Sequence, residues 1–89
     1  VGYNRRFSGI LNEFKDAFEG VRTPLVINYR INAGIIPNDH WIQNPEIGGG
    51  RILGEVCHFI DLCSYLCDSN PIDVYAKSIA SENDLSNIF

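Results

Sequence analysis

The chain has 89 residues, a formal net charge of −4, 45% hydrophobic residues and 20% charged residues, which describes one small globular domain and excludes a disordered or fibrous chain. Its cations are scattered apart from Arg5-Arg6, so the electrostatic footprint of a nucleic-acid binder is missing. No apolar run approaches the roughly 18 residues that a membrane span needs, and the amino terminus has none of the features of a signal peptide, so a cytoplasmic location is expected.

In chain order, the first predicted element is a helix over residues 8 to 20, "SGILNEFKDAFEG". Ile10, Leu11, Phe14, Ala17, Phe18 and Val21 recur at helical spacing, with Ser8 placed to cap the start and Gly20 to end it. Residues 24 to 34, "PLVINYRINAG", alternate instead. Leu25, Ile27, Tyr29 and Ile31 fall on one side and Val26, Asn28, Arg30 and Asn32 on the other, the pattern of a strand with one apolar face. Residues 35 to 50 hold Pro37, Pro45 and three consecutive glycines, which predicts a long loop. A second helix is predicted over residues 51 to 67, a second strand over 71 to 80, and the start of a third in "DLSNIF". The sum is an α+β domain: a small, mixed, open sheet with two helices packed on one face.

At about 100° per residue, the second helix gathers Ile52, Val56, Phe59, Ile60, Cys63 and Cys67 into an apolar stripe. Gly54, His58, Asp61 and Tyr65 fall together on the opposite side, directed away from the expected core. Histidine exchanges a proton near neutral pH, and a carboxylate three residues on can orient its ring, so His58 and Asp61 form a candidate acid/base pair. The competing reading is an exposed histidine with a weak neighbour on its own helix. Gly54 costs a helix roughly 1 kcal/mol relative to alanine, which points to a close approach by another group. Cys57, Cys63 and Cys67 are odd in number and confined to one helix, the mark of reduced core thiols, and no zinc-ligand spacing is present. Glycines 48 to 50 fit no phosphate-binding loop.

Three stretches, "VGYNRRFS", "YRINAGIIPNDHW" and "GGGRILGEVCHFIDL", in this order and spacing, resemble the glucose-fructose oxidoreductase, inositol dehydrogenase and rhizopine catabolism family (Gfo/Idh/MocA). The likeness runs from Val1 to about Tyr75. It implies that residues 1 to 89 are the first part of the carboxy-terminal substrate and oligomerisation domain. The amino-terminal Rossmann domain of that family, which binds NAD or NADP and carries a catalytic lysine, is absent from this chain. A chain without methionine that opens on Val1 is likewise expected to be an excised piece.

The resemblance further implies that His58 is the proton acceptor or donor when a sugar, polyol or nucleotide-sugar hydroxyl exchanges hydride with the nicotinamide. Asp61 accompanies it. Many members place an aspartate four residues before that histidine, where this chain has Gly54; Glu55 stands one step away and is the substitute candidate. Arg5 and Arg6 inherit a place near substrate or cofactor. Arg30 and Asn32, with Asn28, offer hydrogen bonds to hydroxyls from the polar side of the strand, and His40 and Trp41 offer a ring surface to a sugar; solvated strand positions and loop anchoring are the plainer alternatives. The implied partners are a sugar-like small molecule and further copies of the chain, joined through the sheet, with no nucleic acid, membrane or metal. A non-catalytic binding or oligomerisation module on the same scaffold is the alternative function.

Overall fold

The structure is a computed structural model that describes residues 2 to 77. The chain divides into two compact units, Val1–Tyr29 with His58–Pro71, and Arg30–Cys57 with Ile72–Phe89. The expected sheet is not there: among the described residues no strand forms. Residues 24 to 34 and 71 to 77 carry no regular structure, and residues 78 to 80 and the "DLSNIF" segment lie outside the described part. The physical reason is that alternation selects which side chains face inward, whereas a strand also needs a partner for its ladder of hydrogen bonds. The alternation itself survives: Leu25, Ile27 and Tyr29 are 38–41% exposed while Val26, between them, is 97% exposed.

In the first unit, a single 3-10 turn at Arg5–Phe7 leads into α1, Gly9–Ala17. Ser8 takes an extended backbone before α1, but its side chain makes no capping bond; its carbonyl accepts from the Asn12 amide at 3.0 Å. The helix closes three residues before the predicted end, through Phe18 and a left-handed Gly20 at φ +82°. Of the predicted apolar face, Leu11 is half-buried and Ile10 is 79% exposed, so only part of that stripe finds cover. The long helix α2, Cys57–Cys67, supplies the two buried apolar side chains of this unit, Phe59 and Leu62. Tyr29 meets Phe59 edge to face, with ring centroids 5.5 Å apart.

In the second unit the predicted loop is built from turns around one 3-10 turn, Trp41–Gln43. Its core is Ile42, 7% exposed. Gly48, the first of the three glycines, lies against that residue. A Cβ at Gly48 would collide with the Ile42 backbone, and Gly49 and Gly50 hold φ of +69° and +80°, a region closed to most L residues. Residues Ile52–Val56 then wind as a π-helix, and not as the first turns of one continuous α-helix. Gly54 lies in this wide stretch, where a Cβ would stand 2.7 Å from Ile42 Cδ1. Gly54 therefore makes room for a core side chain of its own unit.

Candidate functional site

His58, Asp61 and Tyr65 stand at positions i, i+3 and i+7 and share one side of α2. The sequence places that side away from the core, yet the amino-terminal residues cover it. Tyr3 packs edge to face on the His58 ring, with centroids 5.5 Å apart and planes at 79°. Arg6 donates from Nε to Asp61 Oδ2 at 3.1 Å and from Nη2 to Asp61 Oδ1, a two-bond fork. Tyr65 donates its hydroxyl to Asn12 Oδ1 at 2.7 Å, and its ring is flanked by Lys15 Nζ, 3.9 Å from the centroid, and by the Arg6 guanidinium at 5.3 Å. Lys15 also donates to the Tyr65 carbonyl at 2.9 Å.

The His58 imidazole is half-buried. Its Nδ1 is shielded from solvent and has no hydrogen-bond partner among the described residues; the same shielding does not extend to Nε2. Proton exchange with a small molecule is thereby left to Nε2. Asp61, the expected partner of the ring, gives both carboxylate oxygens to Arg6. That hydrogen bond raises the Arg6 guanidinium above its ordinary pKa, against the opposing effect of desolvation, and the charge of Asp61 adds to the rise. Arg5 lays its guanidinium over the Phe59 ring, 4.7 Å from the centroid. In α2 the thiol of Cys63 is pushed above its ordinary pKa by burial, and Cys67 reinforces the shift. All three cysteines are free.

The remaining candidates belong to the second unit. Glu55 accepts from Arg51 Nε at 2.9 Å and pairs with its Nη2 at 2.8 Å. Arg51 is buried, 1% exposed, and also donates to the Gly34 carbonyl at 2.6 Å. Glu55 is thus bound into the packing of a buried arginine, one turn away along its own helix. Arg30 is exposed. Asn32 turns its side-chain oxygen back to the Gly34 amide at 3.3 Å, as turn-forming asparagines do. His40 caps the short turn after it, its Nδ1 accepting from the Ile42 amide at 3.3 Å, and its ring tilts against Trp41 with centroids 5.6 Å apart. Trp41 is 59% exposed and presents a ring surface to solvent.

Three participants escape the sequence reading. Tyr3 and Asn12 give no periodic signal pointing to α2, and Arg51 gives no sign that an arginine is the most buried side chain described. Tyr65 was detectable through its helical spacing from His58. Among the described residues no group of three or more His, Cys, Asp or Glu side chains is placed to hold a metal ion. No helix among them is long and apolar enough to cross a membrane. No family model, no curated protein and no solved structure matches the chain.

Proposed function

We propose that this chain supplies the acid/base histidine of an NAD(P)-dependent oxidoreductase acting on a sugar, polyol or nucleotide-sugar hydroxyl. The observation that supports this most is the state of His58: its Nδ1 is shielded, its Nε2 is not, and Tyr3 holds the ring edge to face. A hydroxyl hydrogen-bonded to Nε2 gives its proton to the ring as the O–H bond breaks and an N–H bond forms; the reverse step returns it. A nicotinamide nucleotide would supply the acceptor for the hydride of the carbinol carbon, and it would have to be held elsewhere, because this chain has no glycine loop of the phosphate-binding kind. Glycine here serves Ile42 instead.

The alternative, a non-catalytic module on the same scaffold, is favoured by one observation. Asp61 is committed to Arg6 and is not hydrogen-bonded to His58. One experiment separates the two readings. In the protein that includes the nucleotide-binding part, His58→Ala and His58→Gln are expected to lower turnover roughly 10²- to 10⁴-fold, the usual contribution of a positioned acid/base group. Nucleotide affinity measured by fluorescence titration should stay within about twofold, as the proton step touches only the hydroxyl. Unchanged turnover in both variants would leave the module as the surviving interpretation.

A further inference from the structure

We infer that the amino-terminal Tyr3-Asn4-Arg5-Arg6 segment is a positioning strap for the His58 face of α2, and that Arg6 acts through Asp61 instead of touching substrate. The inference rests on the acid/base reading of His58 for its functional meaning, and on geometry for its mechanism. Along one turn of α2, this short segment engages three side chains: Tyr3 on the His58 ring, Arg5 on the Phe59 ring and Arg6 on the Asp61 carboxylate. Both oxygens of Asp61 are used, and its side chain is 11% exposed against 36% for Arg6. An arginine directed at a ligand would keep its fork free. This one spends Nε and Nη2 on the helix beside it.

Two consequences follow for His58. The Tyr3 edge limits rotation of the imidazole, and the Arg6 fork keeps Asp61 from turning back toward the ring from one turn away. Without the fork, a carboxylate that is mostly shielded loses its partner and is free to turn to the imidazole, a donor one turn back on the same face of α2. The ring would then be rotated away from its working direction, and small misplacements of a reacting group are costly, about 10²-fold for 1 Å.

The test has two arms. On this chain, the His58 ring is followed by proton and nitrogen NMR. Tyr3→Leu is expected to move the His58 ring-proton resonances, and Arg6→Met to move the His58 nitrogen resonances; resonances that stay in place in both variants overturn the strap. In the protein with its nucleotide-binding part, Arg6→Met is expected to lower kcat roughly tenfold while the sugar KM stays within about twofold. Arg6→Lys should recover only part of this, since an ammonium cannot make the planar fork. The exchange Arg6→Asp with Asp61→Arg should restore more activity than either single substitution. A tenfold rise in KM with kcat intact, or a double exchange no better than the singles, makes Arg6 a substrate contact and overturns the inference. If His58→Ala leaves turnover unchanged, the acid/base reading fails, and the NMR arm still decides whether the strap holds the ring.

Discussion

Ile42 shows how a single side chain dictates its neighbours. It is buried at 7% exposure, and both Gly48 and Gly54, the latter read from the sequence as a close approach by another group, make room for it. The two sites differ in what would have to move. At Gly48 an added Cβ meets backbone, which cannot yield without displacing the turn, so Gly48→Ala is expected to cost about 1–3 kcal/mol, the range of overpacked cores. At Gly54 the Cβ meets two side-chain carbons of Ile42, Cδ1 at 2.7 Å and Cγ1 at 2.8 Å, and the side chain can turn aside for about 0.5–1.5 kcal/mol of rotamer strain. Alanine in a helix returns about 1 kcal/mol over glycine, so Gly54→Ala should lie within about 1 kcal/mol of neutral. In an Ile42→Ala background both close carbons are gone, and Gly54→Ala should then stabilise by about 1 kcal/mol relative to that background. Urea unfolding of the four combinations measures the coupling; strict additivity, or a silent Gly48→Ala, would show that Ile42 does not occupy the space.

At the scale of elements, α2 is the part of the chain whose extent follows most directly from local chemistry. It stops at Asp68, whose φ of +50° is left-handed, and the Ser69 amide closes the end on the Ser64 carbonyl at 3.2 Å. Aspartate tolerates that conformation better than most residues but places a negative charge at the negative end of the helix dipole. Asp68→Gly should therefore raise stability by about 0.5–1 kcal/mol, and Asp68→Asn, which removes only the charge, by less; a thermal melt in which glycine gains nothing over asparagine would discount the backbone contribution. The helices were legible in extent because a 3.6-residue period marks a helix, but the buried face of α2 was not: of the predicted stripe Phe59 is buried while Ile52, Ile60 and Cys67 are exposed, and Leu62, outside the stripe, is buried. The sheet was not, because Leu25, Ile27 and Tyr29 record only which way an extended segment faces, and the period is silent about a ladder partner. The π-helical stretch Ile52–Val56 was likewise invisible, since the 3.6-residue period does not distinguish a π turn from an α turn. Of the candidate site, His58 and Asp61 could be placed on one face from spacing alone. Their separation by Arg6 could not, because that fork joins residues 55 positions apart.

For the molecule as a whole, the apolar composition and the burial achieved are out of proportion. Hydrophobic residues make up 45% of the chain, yet the buried apolar side chains described are Phe59 and Leu62 in the first unit and Ile42 in the second. Val26, Ile35, Ile72, Val74 and Tyr75 are all more than three-quarters exposed. A charge of −4 opposes association only weakly at physiological salt, where repulsion beyond about 8 Å is screened. Among the described residues no strand offers a preformed edge for the expected joining of copies, and the driving force these residues present is the burial of those side chains, about 25 cal/mol per Å² of apolar surface. Association should then be graded with concentration, be weakened by urea at levels below those that unfold α2, and accompany strong binding of an apolar dye. Sedimentation velocity across a hundredfold concentration range should show the mean mass rising, with a broad thermal transition that sharpens as the mass grows, because copies that bury one another's apolar surface also stabilise the folded chain by mass action. A constant monomer mass together with a sharp, concentration-independent transition would mean that these side chains are covered within the chain itself.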